Sequence, residues 1–185
     1  MTKAKSSSTN KHGIAALLLY LPHAIWLIAH GEVWDLFWMC DVAMPVLVFG
    51  AFSKNARAVV TAFLFLLYGT PVWLLDLAFG GSMTPTSPLI HIGGPCVAFL
   101  AIRRLGWPSY SWVVASGASA VVLAFSRFVA PPSANVNMAF RVYAGWEKHF
   151  ANHAVYLAGL WLSASVIFYA FERSVGRRHL RTQPP

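Results

Sequence analysis

The chain alternates between long apolar runs and short polar or basic stretches. Six runs approach the ~20 mostly apolar residues that a helix needs to cross a bilayer. They lie at about 13–30, 35–52, 58–80, 86–103, 109–129 and 152–171. The runs starting near 13, 35 and 86 are the shortest, at about 18 residues, the low end of the spanning range. The pattern predicts an all-α membrane protein: a polar tail over 1–12, one bundle of about six transmembrane helices over 13–171, and a basic tail over 172–185. Lys3, Lys5 and Lys11 precede the apolar string GIAALLLYL, as in a signal peptide. No small-residue cleavage site follows, and the apolar pattern continues through His23 and Trp26 to His30, so an uncleaved first helix is expected.

Composition strengthens this reading. The 185 residues are 57% hydrophobic and 11% charged, with a mean hydropathy of +0.57. A soluble domain carries about a quarter charged residues. The net charge of +8 would raise nucleic-acid binding in a soluble protein. Here the basic residues sit between apolar runs, where they report topology. On alternate sides of six spans, eleven Lys and Arg fall on the side of the termini and three, Arg127, Arg141 and Lys148, on the other. That asymmetry places both termini in the cytoplasm and leaves no role for nucleic acid. Cys40 and Cys96 lie inside apolar runs and form neither a disulfide framework nor a CxxC motif.

With orientation assigned, the scarce acids become the unusual feature. Glu32, Asp35, Asp41, Asp76 and Glu147 all fall toward the non-cytoplasmic side, and only Glu172 toward the cytoplasm. Glu32, Asp35 and Glu147 read as ordinary loop residues. Asp41, Asp76 and His91 lie within apolar helices, where an ionisable group costs a few kcal/mol unless it is paired or faces a cavity. His23 and His30 share one stripe of the first helix with Trp26, and Asp41 shares a stripe with Trp38 and Pro45. Pro22, Pro45, Pro71 and Pro95 lie one in each of the first four runs, and Pro45 and Pro95 would free the carbonyls of Asp41 and His91. Kinks there would open a cavity, although prolines are common in membrane helices in any case.

These residues suggest a site. Asp41, Asp76, His91 and Arg127 are candidate catalytic groups, with Arg127 placed to pair with Asp41 or Asp76. Trp38, Asn135 and Asn137 are candidate substrate-binding residues. Asp41, Asp76 and His91, joined by His30 and His153, carry the donor types of a zinc site. His149 and His153 are four apart, which on a helix would give them one face, and the long stretch before the last run suggests an interfacial helix or lid. A haem held by two histidines is a weaker alternative, because aromatic residues at this level ordinarily anchor helices at the interface.

The strings LFWMCDVAMPVLVFGAF, WLLDLAFGG, PLIHIGGPCVAFLAIRRLGWP and PPSANVNMAF resemble a group of uncharacterised bacterial multi-pass membrane proteins over roughly residues 30–140. The resemblance implies a shared site at Asp41, Asp76, His91, Arg104 to Gly106 and Asn135 to Asn137, and supplies no activity. A fainter likeness is to membrane lipid hydrolases and acyltransferases of the YwaF-like and androgen-induced-protein kind, in which Cys40 would stand near a nucleophile position. The alkaline-ceramidase and progestin-receptor superfamily is similar in binding zinc through in-membrane His and Asp, but has seven spans.

Two functions follow as expectations. One is a lipid hydrolase or acyl or head-group transferase, metal-dependent, acting on membrane lipids. The other is a carrier or accessory subunit whose Asp–His–Arg network is structural or relays protons.

Overall fold

The computed structural model describes residues 3–176, with side chains from Thr9 to Val175; Arg177, Arg178 and Arg181 of the expected basic tail lie outside the described residues. Six helices carry the chain: α1 Lys3–Ala29, α2 Met39–Ser53, α3 Ala56–Ala78, α4 Gly94–Leu105, α5 Ser111–Val129 and α6 His153–Phe171. No strand occurs among the described residues. Within the polar stretch before position 13 the chain is already helical from Lys3, and the part of α1 long and apolar enough to cross a membrane begins at Thr9.

Four helices are long and apolar enough to cross a membrane: Thr9–Ala29, Ala56–Ala78, Ser111–Val129 and His153–Val175. The other two expected spans are shorter. α2 has 15 residues, preceded by a 3-10 turn at Val33–Phe37, and α4 has 12, preceded by a π turn at Leu89–Gly93. Pro22, Pro45 and Pro71 lie inside α1, α2 and α3, whereas Pro95 stands in the first turn of α4, where a missing N–H costs little. Thr70 of α3 donates a hydrogen bond to the His91 carbonyl at 3.1 Å, which ties the π turn to α3.

α3 is the central helix, with α2, α4 and α5 packed on it and α1 joining through α2 and α4. Every residue from Val59 to Leu66 is buried. Small residues permit this closeness, as they do where membrane helices meet backbone to backbone. A Cβ on Gly50 of α2 would come within 2.9 Å of the Val59 backbone nitrogen, and one on Gly94 within 2.9 Å of Met44 Sδ. Phe65 stacks on Phe168 of α6, and Phe63 meets the edge of Trp107.

Side chains close the helix ends. Asn55 Oδ1 accepts from Ala58 N at the start of α3, and Asn152 Oδ1 from Ala154 N at the start of α6. The start of α5 is served from another helix end: Glu172, following α6, accepts from the backbone N–H groups of Tyr110 and Trp112 and from Trp107 Nε1. A carboxylate at a helix N-terminus is favoured by the helix dipole.

Candidate functional site

The half of the bundle that holds the C-terminal ends of α1 and α3 and the N-terminal end of α2 contains a partly open cavity of about 680 Å³. Its polar centre is a buried pair. His23 Nε2 of α1 lies 2.9 Å from Asp41 Oδ1 in the first turn of α2, and both side chains are more than nine-tenths buried. The approach is off-line, so Oδ1 has a charge partner but no directed hydrogen bond. Asp41 Oδ2 accepts from Cys40 Sγ at 3.5 Å. On the other edge of the imidazole, His23 Nδ1 meets Thr86 Oγ1 at 2.8 Å, so a chain of polar atoms runs from Asp41 to the segment between α3 and α4.

Asp76 is positioned by the way α3 ends. Gly80, at φ +92°, and Gly81 close the helix with N–H groups donated back to Leu77 and Asp76 carbonyls, the pattern of a Schellman cap. Gly81 has no Cβ, and one there would collide with the Asp76 carboxylate. Tyr143 Oη donates to Asp76 Oδ1 at 2.8 Å, and that hydrogen bond raises the Tyr143 phenol above its ordinary range. His91 lies flat on Trp73, with ring centres 4.4 Å apart and planes within 5°. It is 6% exposed and its Nδ1 has no hydrogen-bond partner.

The expected site residues thus divide. Asp41, Asp76, His91, Trp38 and Asn137 all line the cavity. Asn137, at φ 52°, is also a structural lock: Oδ1 accepts from Met39 N at the start of α2, while Nδ2 donates to Phe37 O and to Ser126 Oγ of α5. Asn135 lies off the cavity and shapes its own loop, with Oδ1 accepting from Phe140 N and Arg141 N. Arg127 does not pair with Asp41 or Asp76. It is exposed at the end of α5 and its guanidinium covers the Phe140 ring at 4.6 Å, because the side chain leaves α5 away from the cavity.

His30 and His153 stand apart from the other proposed zinc ligands. His30 stacks on Trp26 and bonds the Trp26 carbonyl of its own helix, and His153 Nε2 bonds the Met138 carbonyl. Among the described residues no group of three or more His, Cys, Asp or Glu side chains could hold a metal ion. The donor set therefore does not fit zinc. The face expected for His149 and His153 is also absent, because His149 belongs to the separate turn Glu147–His149 and α6 starts at His153. In place of an interfacial helix, the stretch before α6 carries two single 3-10 turns, and its Met138, Tyr143 and Trp146 cover the cavity.

Tyr143, Thr86 and Trp73 complete the site and were not expected from the sequence. Trp73 had a signal: Trp-x-x-Asp occurs as Trp38–Asp41 and again as Trp73–Asp76, and both tryptophans line the cavity. Tyr143 and Thr86 lie 67 and 63 residues from their partners and had none.

The fold and site define a helical, membrane-type bundle with a buried His–Asp pair in a ligand-sized cavity. Compared with known proteins, the chain has no significant match to a family model, a curated protein or a solved structure.

Proposed function

We propose that this chain is a bacterial plasma-membrane protein of six spans with both termini in the cytoplasm. Its cavity takes the polar end of a lipid-like amphiphile from the non-cytoplasmic side, and its His–Asp pair performs acid–base chemistry there, in the class of hydrolysis or acyl or head-group transfer. The observation that carries the reading is the buried His23–Asp41 pair in a cavity of about 680 Å³. That volume lies within the ~300–1,000 Å³ of small-molecule sites. An ionisable pair inside a membrane bundle is costly unless it serves a cavity or a partner. Asp41 and His23 share the proton that a reacting head group gives or takes, and Trp38, Trp73 and the Tyr143 loop limit access of water. Topology follows from the eleven-to-three split of Lys and Arg.

The test is turnover in vesicles made from extracted bacterial lipids, with the lipid profile followed by mass spectrometry. Wild type should deplete one lipid class, and Asp41→Asn and His23→Gln should leave it intact. An unchanged profile with wild type would sink the enzyme reading. One observation favours a carrier instead: the Asp41–His23–Thr86 chain reaches from the cavity to the α3–α4 segment, as a proton relay would. Proton uptake coupled to solute flux, lost in Thr86→Val, would then replace turnover.

A further inference from the structure

The charge of the cavity wall is lopsided. Glu32, Asp35, Asp41 and Asp76, four of the six acidic residues in the chain, line it, and no described Lys or Arg does. The groups that could have balanced them are directed elsewhere: Arg127 covers Phe140, and Arg141 bonds the Ser133 carbonyl. The acids influence one another. Burial first, and then the charges of Glu32 and Asp41, raise the Asp35 carboxyl above its ordinary range, against the opposing hydrogen bond from Trp38 and the opposing charge of His23.

Aromatic residues are prominent in the rest of the wall, among them Trp38, Trp73, Trp146, Trp161, Tyr68 and Tyr156. Aromatic faces with nearby carboxylates are the chemistry that recognises amines and quaternary ammonium groups. One side chain more than nine-tenths buried has an unfilled position here. The His91 ring has no hydrogen bond at Nδ1, whereas Asp41 Oδ1 already faces His23 Nε2 at 2.9 Å. The unpartnered imidazole nitrogen leaves room for one N–H of a protonated amine, while a quaternary ammonium, which has no N–H, would be held by charge and by the aromatic faces.

We infer that the ligand of this cavity is an organic cation, an amine or quaternary ammonium, held by Asp41 and Asp76 and by the faces of Trp38 and Trp73. The inference rests on the proposal that the cavity binds an amphiphile, and it specifies the head group. It also disfavours a phosphate or sulfate head, which the four carboxylates would repel.

The experiment uses the full chain in lipid nanodiscs and reads intrinsic tryptophan fluorescence during titration with three amphiphiles of equal chain length: decyltrimethylammonium, decyl maltoside and decyl sulfate. Saturable binding of the cation at least about tenfold tighter than the other two supports the inference, with Asp76→Asn and Trp73→Leu each weakening it by roughly tenfold. Asp76 is half-buried at the helix end, so its variant keeps the test open if Asp41→Asn fails to fold. A parallel titration with tetraethylammonium separates the sources. Tight binding of this short ion marks a soluble cation, whereas a requirement for the decyl chain marks a membrane-borne one; either agrees with the inference. Equal binding of all three amphiphiles, unaffected by Asp76→Asn, overturns the cationic assignment and leaves amphiphile binding standing. Saturable binding by none of the four probes overturns both.

Discussion

The two halves of α3 have similar apolar composition and opposite surroundings. From Val59 to Leu66 every residue is buried, and from Pro71 to Ala78 none is. The first half is enclosed because small residues on its neighbours, Gly50 and Gly94, let α2 and α4 come against it without intervening side chains. The second half meets neighbours that carry Trp38, Asp41, His23 and His91, and between these bulky or polar groups the bundle holds a cavity rather than a core. Hydropathy alone does not separate a packing helix from a site-bearing one. The size of the residue facing it does.

The largest effect should come from the packed half. Phe65 is 1% exposed and stacks on Phe168, so Phe65→Ala leaves a void enclosed by fixed neighbours. It should cost about 3–5 kcal/mol, visible as a fall in unfolding temperature or a loss of folded protein. A cost under about 1 kcal/mol would mean that this half is not close-packed.

Next is the contact that closes one side of the hollow half. Asn137 holds the N-terminal end of α2 to the end of α5 through three hydrogen bonds. Asn137→Ala leaves the Met39 N–H and the Phe37 carbonyl unpartnered, a loss of about 2–3 kcal/mol. It should also speed proteolysis of the loop that covers the cavity, which Asn135→Ala, acting only within its own loop, should do to a smaller extent.

A smaller effect on stability is expected within the hollow half. The double variant Asp41→Asn with His23→Gln keeps both side chains near their size and removes the whole buried pair, a change that is often close to neutral, whereas removing one partner alone is not. Its thermal unfolding should stay within about 1 kcal/mol of wild type while ligand affinity falls. A loss as large as that of Phe65→Ala would show that the pair serves packing, and the site reading would fail with it.

How much of this was legible in the sequence depends on range. The helical class follows from apolar run length, a local property, and each of the six runs contains a helix. Asp41, Asp76 and His91 stood out because an ionisable residue in an apolar run is anomalous wherever its partner lies, and all three line the cavity. The partners themselves were hidden. Tyr143 meets Asp76, and Glu172 meets the start of α5, only because helices distant in sequence pack side by side. Helix length was misjudged where hydropathy continues past a backbone break, as in the run at 35–52, which includes residues of the Val33–Phe37 turn; the run at 86–103 stays helical through the π turn at Leu89–Gly93. Arg127 was misplaced for a related reason, since depth can be read from position in a run but direction around the helix cannot.

The smallest effect tests that last point. An arginine near two membrane carboxylates would be a strong functional candidate, and its loss would leave them uncompensated, at a cost of several kcal/mol. The geometry leads elsewhere. The guanidinium lies over Phe140 on an exposed surface, outside the wall of the cavity. A cation over an aromatic ring at an exposed site contributes about 0.5–1 kcal/mol. Arg127→Gln should therefore change the unfolding temperature by little more than the error of measurement and leave cation binding unaltered. Asp76→Asn in the same preparation should weaken that binding. If Arg127→Gln tightened binding of the cation and Asp76→Asn did not weaken it, the charge that matters would lie at the end of α5, and the hollow half of the bundle would lose its claim to be the site.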